Sequence, residues 1–295
     1  MKIKTRRYYV YYLLKALIFL VGLIPRKAGL MLASFLGKAA FMLLRGYRDT
    51  TISNLDEALG RDPRRNTLIA EGVFRNLAKN GAEWIKLASS GREEVEAMVT
   101  EASGFEHLDR ALAEGKGVIL LVSHFGNWEL LSIYLNLKGY KGTAVARRIY
   151  FHKYDRFIMR LRNRFGAQVL YRDESPRKLL KLLKSGGILG ILADQDVDSV
   201  EGVFVNFFGK SAYTPAAPVR FGMVTGASLV PAFMIRKPDD THKLVLEKPL
   251  VLLRGPDREE ALKLYTRAWT DVLEKYVRQY PEQWVWMHQR WKTRK

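Results

Sequence analysis

The run Gly117-Val-Ile-Leu-Leu-Val122 constrains the fold more than any other part of the chain. It is short, wholly apolar and bounded by glycine, and Asn127 to Leu137 behind it carries helical spacing. A strand that is apolar on both faces needs a helix layer on each side. The same alternation continues in both directions. Arg64 to Ala88 has the pattern of a long amphipathic helix, and Phe105 to Glu114 that of a shorter one. Thr143 to Ala146 and Gln168 to Leu170 read as brief strands around a helix over Tyr150 to Phe165. Ser175-Pro176 has the N-cap and first-turn residue types of a helix running to Lys184. Gly187 to Ala193 reads as a strand, Thr214-Pro215 as a helix start, Leu229 to Ile235 as a strand, Lys243 to Leu246 as an edge strand, and Asp257 to Tyr280 as a last helix. The expectation is an α/β single domain with a mostly parallel central sheet flanked by helices. In such sheets ligands sit outside the carboxyl ends of the strands.

The N-terminus adds a different element. After Lys2, Lys4, Arg6 and Arg7, the residues from Tyr8 to Ile24 are apolar apart from Lys15, and Pro25-Arg26-Lys27 ends the run. That length sits at the short limit of a bilayer span, about 17 residues. Tyr8, Tyr9, Tyr11 and Tyr12 fall where an interfacial aromatic belt would lie. A signal peptide is disfavoured, because Ile24-Pro25-Arg26-Lys27 is a poor cleavage site. The division expected is a hydrophobic N-terminal membrane-anchor helix over residues 1–27 and a body over 28–295. Whether the helix spans the membrane or lies on it stays open.

The 295 residues include 49 Lys+Arg against 30 Asp+Glu, a formal charge of +19. Such an excess points to an anionic partner. With 48% apolar residues and no cysteine, the chain is neither disordered nor built on disulfides, and thiolate metal sites and cysteine nucleophiles are excluded. Between Arg147 and Lys184 twelve basic residues face only Asp155, Asp173 and Glu174.

Chemistry-bearing residues gather directly after Val122, in Ser123-His124-Phe125-Gly126-Asn127-Trp128-Glu129. His124 and Glu129 are five apart, about 500° around a helix, so they would not share a helical face. With His124 in the strand loop and Glu129 in the first helical turn, the carboxylate can fold back to orient the imidazole, as an acid does in a triad. His124 would then serve as general base, and the helix amides would offer donors to an oxyanion. Spacing alone leaves a merely structural histidine open. No H-E-x-x-H exists, so no metal is expected. Gly209-Lys210-Ser211 mimics the end of a P-loop, but the leading glycine is replaced by Phe204, and neither a G-x-G-x-x-G nor a G-x-S-x-G occurs. No cofactor is expected.

His124-Phe-Gly-Asn-Trp-Glu129 resembles the H-x4-D/E block of the lysophospholipid acyltransferase superfamily, and within it the bacterial lipid A late acyltransferases, the lauroyl and myristoyl transferases. Five further blocks agree in order along nearly the whole chain. They are Arg48 to Leu55, Ala146-Arg147 with Arg162 to Gly166, Ala193-Asp194-Gln195-Asp196, Gly202 to Gly209 with Thr214, and Pro281 to Arg294. The arginine block departs from the family, which has proline where Arg148 stands.

The resemblance implies transfer of an acyl chain from acyl carrier protein to a hydroxyl of an anionic glycolipid, on the cytoplasmic face of the inner membrane. It implies His124 and Glu129 as catalytic, and Asn127, Arg147, Arg162, Arg164, Asp194, Gln195, Phe207 and Gly209 as substrate-binding. Phe204, Phe207 and Phe208 either line an acyl channel or, as isolated aromatics more often do, belong to the core. Trp284, Trp286 and Trp291 with Arg290 either anchor at lipid headgroups or form a packed C-terminal segment. Two alternatives remain: an acyl-CoA-dependent glycerolipid or mannosyl-lipid acyltransferase, and a basic non-enzymatic protein binding membrane or nucleic acid. Nucleic acid is not expected, because no recognisable nucleic-acid module accompanies the basic residues.

Overall fold

The computed structural model describes residues 8–9, 11–12, 15, 18–20, 22–171, 176–250 and 257–294. The described residues between 8 and 23 are helical, and Pro25 separates them from α1 (Arg26–Leu43). The rest of the anchor segment, and Ser175 as an N-cap, lie outside the described residues.

A seven-stranded sheet forms the centre, in the order β1-β9-β8-β2-β5-β3-β4. Its strands are β1 (Val99–Ser103), β2 (Val118–Val122), β3 (Gly142–Ala146), β4 (Gln168–Tyr171), β5 (Ile188–Leu192), β8 (Ser228–Arg236) and β9 (His242–Leu246). Every neighbouring pair is parallel except β8 and β9. Strand β2 explains the two-layer covering: Ile119 and Leu121 enter one apolar core, while Val118, Leu120 and Val122 enter the other. The expected α/β sheet with mostly parallel strands is therefore present.

Three differences from the sequence reading have physical causes. The edge strand is β1, and β9 lies inside the sheet between β1 and β8. Four of the five residues of β1 are exposed, so it carries no apolar signal. A separate antiparallel hairpin, β6 (Gly202–Phe207) and β7 (Lys210–Pro215), occupies a region read without strands. Its two-residue turn, Phe208-Gly209, has φ of 54° and 78°, and positive φ at both central residues suits the twist of a hairpin. Thr214-Pro215 thus closes β7, and the helix begins at Ala217 with Pro218 in its first turn.

Helix α1 is followed by α2 (Arg45–Leu59) and α3 (Pro63–Leu87). Leu30, Ala33, Gly37 and Phe41 form the buried stripe of α1, and this helix packs along α3. At Gly37 the two backbones meet: a Cβ there would sit 2.7 Å from both the Arg75 Cα and the Phe74 carbonyl oxygen. The opposite face is apolar yet uncovered, with Met31, Phe35 and Leu43 at 75%, 68% and 77% exposure. Among the described residues no single helix is long and apolar enough to cross a membrane. Helices α1 and α2, bent by 90°, satisfy that test only as a pair, by length and composition.

The close approach at Gly37 yields a stability prediction. Gly37→Leu should force α1 away from α3 and cost about 1–3 kcal/mol, the usual range for overpacking. Gly29→Ala, where nothing lies within 4 Å, should leave stability level or slightly raised. Thermal unfolding of the two variants beside the parent checks both signs.

Candidate active site

Sheet register builds the centre of the site. Strands β2 and β5 are parallel neighbours, with Val122 opposite Leu192. Two residues beyond each partner stand His124 and Asp194, so the register delivers both to the carboxyl edge together. The imidazole Nδ1 lies 2.8 Å from Asp194 Oδ1, and the His124 backbone N–H donates to Oδ2 at 2.9 Å. Trp284 Nε1–H adds a third bond, to Oδ2 at 2.9 Å. Asp194 is completely buried, whereas 26% of the His124 side chain remains exposed.

This arrangement corrects the expectation for Glu129. The carboxylate that orients the imidazole is Asp194, seventy residues away in sequence. Glu129, in the first turn of α6 (Trp128–Leu137), instead accepts from Arg162 at 3.0 and 2.5 Å in a forked ion pair. Arg162 comes from α7 (His152–Arg164). Glu129 still acts on His124 through its charge. Burial alone would lower the His124 pKa, but the charge and hydrogen bond of Asp194, with a smaller contribution from Glu129, outweigh it and raise the value above 6.5. Burial likewise works against the Asp194 carboxylate, and the imidazole overrides it, holding this pKa far below the ordinary carboxylate range. Burial keeps Arg162 from gaining more than its bond to Glu129 supplies, and the net shift is upward.

The other expected residues divide. Asn127 is the N-cap of α6: its side-chain oxygen accepts from the Leu130 N–H at 3.1 Å, and its amide donates to Glu83. Arg147 is exposed just after β3 and has no hydrogen bond or ion pair among the described residues. Arg164 closes the carbonyl end of α3, donating to Leu87, Ala88 and Ser90 oxygens. Gln195 is half-buried beside Asp194.

Phe207 and Phe208 do not line a channel: both are buried in the core against Trp284, Trp286 and Trp291. Gly209 is exposed in the hairpin turn, where its positive φ is its contribution. Trp284, Trp286 and Arg290 are fully buried, so the C-terminal segment is packed rather than presented to headgroups. Burial brings Arg290 down to about 10 and His288 down to about 4.

An apolar slot does open near the His124 loop, lined by Trp128 rather than by the imidazole itself, and in a different place from the phenylalanines. It runs between one face of the sheet and α6, and holds about 660 Å³ of empty space including its mouth. Trp128, Leu131, Ser132, Leu135 and Asn136 form its helical wall, at successive turns. Gly142, Ala144 and Gly190 on β3 and β5 leave the room. Glu129 and Arg162 flank the slot, and Trp128 carries the His124 ring edge-on at 5.3 Å. No group of three or more acids and histidines that could hold a metal is found among the described residues.

Sequence reasoning missed Glu83, Asn80 and Arg236, which lie in regular helix and strand and carry no local motif. The signal available was a buried-face position occupied by a charge: Glu83 falls on the apolar stripe of α3, at 1% exposure.

An α/β sheet with a His–Asp pair at the carboxyl edge of its strands, and an apolar slot lined by an arginine nearby, is an arrangement fit for general-base chemistry. The model of the bacterial lipid A biosynthesis acyltransferases matches residues 1–293, and the chain belongs to that family. It is 27% identical over 296 residues to the lipid A biosynthesis lauroyltransferase of Escherichia coli, covering 98% of this chain and 93% of that one. It is 29% identical over 196 residues to a lipid A biosynthesis acyltransferase of Haemophilus influenzae, covering 66% of this chain and 60% of the relative. A phosphatidylinositol mannoside acyltransferase of Mycobacterium tuberculosis is 34% identical over 133 residues, 43% of this chain and 42% of its own length.

The His124–Asp194 pairing fixes a titration. The His124 ring resonance should titrate above 6.5. In Asp194→Asn the raising charge is gone while burial still favours the neutral ring, so the midpoint should fall below the parent value. Proton NMR of the imidazole, assigned with His124→Ala, reads it; an unmoved midpoint would refute the pairing.

Proposed function

We propose that the chain transfers a fatty acyl group from a thioester donor to a hydroxyl of an anionic membrane glycolipid, with His124 as general base. The observation that carries this reading is the partly exposed imidazole, held at Nδ1 by a buried carboxylate and set against Trp128, a wall of an apolar slot. Nδ1 donating to Asp194 leaves the Nε2 lone pair for the acceptor hydroxyl, the division of labour seen in triads. His124 takes the hydroxyl proton as the oxygen attacks the thioester carbonyl. It then returns that proton to the departing thiolate. The amides of Trp128 and Glu129, which helix geometry leaves without intrahelical partners, are the donors for the tetrahedral oxyanion. Glu129 stabilises the imidazolium by its charge.

The acyl chain lies in the slot, and the positive charge around its mouth suits the acceptor. Arg162 lines the slot and Arg147 is exposed just after β3, and guanidinium groups grip phosphate in a forked geometry. The acceptor proposed is a lipid A precursor, as the full-length likeness to the lauroyltransferase supports, and the donor is acyl carrier protein, whose acidic surface suits a basic one. The mannoside acyltransferase likeness favours a second reading, a mannosylated phospholipid acceptor; both readings share an acidic, sugar-bearing lipid. We infer a seat at the inner membrane with residues 1–27 as anchor and residues 28–295 as the body on the cytoplasmic side. The uncovered face of α1, with Met31, Phe35 and Leu43, continues that apolar surface.

Purified protein supplied with acyl carrier protein or CoA thioesters, and with each acceptor lipid, separates these readings by mass spectrometry of the products. His124→Ala should lower kcat by about three orders of magnitude or more, as loss of a general base does in a triad-like site. Gly190→Leu places a side chain in the slot where the nearest atom to a Cβ is 3.9 Å away. It should shift the preferred donor to a shorter chain while leaving turnover of that donor near the parent rate. An unchanged chain preference would remove the slot from the acyl path.

A further inference from the structure

The loop that carries His124 is held from beneath by a buried ionic cluster, and its backbone groups are paired there one by one. Gly126 N–H donates to the Gln283 oxygen at 2.8 Å, and Asn127 N–H to the Met234 oxygen at 3.0 Å. The Gly126 carbonyl accepts from Asn80 Nδ2 at 2.6 Å, and the His124 carbonyl from Val285 N–H at 3.0 Å. The turn leaves no room for adjustment. Gly126 has φ of 56°, and a Cβ there would lie 1.7 Å from the Met234 oxygen.

Glu83 is the centre of this support. It is 1% exposed on α3, and its Oε2 accepts from Asn127 Nδ2 at 2.8 Å and from Arg236 Nη2 at 2.6 Å. Arg236 also donates to Asn80 Oδ1 at 2.7 Å and to Asn76 Oδ1 at 2.9 Å, so the carboxamide of Asn80 that holds the Gly126 carbonyl is oriented by this guanidinium. The buried His242 ring approaches the same carboxylate at 3.3 Å. The second oxygen of Glu83 accepts from Arg26, the first residue of α1. Arg26 also donates to the Asp240 carbonyl, and Lys86 Nζ donates to the Gly22 oxygen at 2.9 Å. One buried carboxylate thus bonds both to the cap of α6 and to the base of the helix whose outer face is apolar and uncovered.

We propose that Glu83 is a positioning residue for the His124 loop and that, through Arg26, it couples the seating of α1 to the geometry of that loop. The proposal rests on the acyl-transfer reading only for its kinetic arm. Glu83 touches neither the imidazole nor the slot; its effect runs through Asn127 and, by way of Arg236, through Asn80 to the Gly126 carbonyl. Replacing it by glutamine keeps the shape but removes the charge and sets an NH2 against the donors on one side, so either Arg26 or the pair Asn127 and Arg236 loses its acceptor and the link between α1 and the first turn of α6 is broken. A fold-only role would lower the melting temperature and leave the folded molecules at full rate.

The test compares Glu83→Gln, Asn80→Ala, Arg26→Ala and Arg26→Lys with the parent, each assayed well below its melting temperature. Glu83→Gln and Asn80→Ala are expected to lower kcat at least tenfold with KM within twofold, and to shift the His124 ring resonances. Arg26→Ala should give a smaller loss of kcat that Arg26→Lys restores in large part. If Glu83→Gln does not fold, Asn80→Ala and the Arg26 pair decide alone. Parent-like kcat and His124 resonances in the folded variants would overturn the proposal, as would a loss matching only the unfolded fraction. A parent protein inactive on every acyl thioester would sink the catalytic reading instead, and the His124 resonances would still decide whether Glu83 positions the loop.

Discussion

The buried carboxylate of Asp194 is the constraint on which the rest of the site depends. A charged group without solvent is costly unless every lone pair is used. Here three donors converge on it: the His124 ring, the His124 backbone amide and the Trp284 indole. Two come from His124 and the third from Trp284, so the sheet edge that carries Asp194, the loop after β2 and the C-terminal segment must be assembled together for the charge to be tolerated. Neighbouring bonds extend the same assembly. Asp196 accepts from the Thr293 amide and hydroxyl, Arg290 donates to Tyr213 and Thr214, and Asn54 donates to the Trp286 and His288 carbonyls. Five of the six sequence blocks that resemble the family are thereby joined in one polar framework around Asp194, and the sixth, the arginine block, meets it through the pairing of Arg162 with Glu129.

Much of this was legible from residues. The parallel strands β2, β3, β4 and β5 announce themselves by short apolar runs with helices between them, and the register of β2 against β5 follows once both are placed. The assignment of the imidazole's partner was not legible, because nearness in sequence favoured Glu129 whereas the parallel register favours Asp194. A helix start adjacent to a strand end places its first carboxylate beside the slot, where Arg162 takes it. Strand β1 escaped notice because an edge strand exposed on both faces has no apolar period, and β9 was misplaced for the complementary reason: its position depends on β1. The hairpin β6–β7 was hidden by Phe207 and Phe208, whose aromatic run suggested a channel wall while the structure uses it to fill a core.

The slot shows how absence of side chain becomes function in such a sheet. Large residues at positions 142, 144 and 190 would narrow the gap between sheet and α6, where the strands now present Gly142, Ala144 and Gly190. Small ones on two adjacent strands leave a groove rather than scattered voids, and voids too small for ligand or water would simply forfeit contacts. The slot's charged lining residues, Glu129 and Arg162, pair with each other at 21% and 20% exposure.

Two buried acids therefore divide the labour at this edge. Asp194 sets which imidazole nitrogen is free and keeps its basicity up, acting within hydrogen-bond distance. Glu83 sits below the loop and fixes where that imidazole is carried, since the Asn127 cap and the Gly126 carbonyl both lead back to it. The first task needs a carboxylate on the strand next door, which parallel register supplies. The second needs a long helix running under the loop and reaching the N-terminal segment, which α3 supplies. A body held this way has its reacting loop tied to the helices whose apolar face is uncovered, so any force on that face bears on the loop through Arg26 and Glu83.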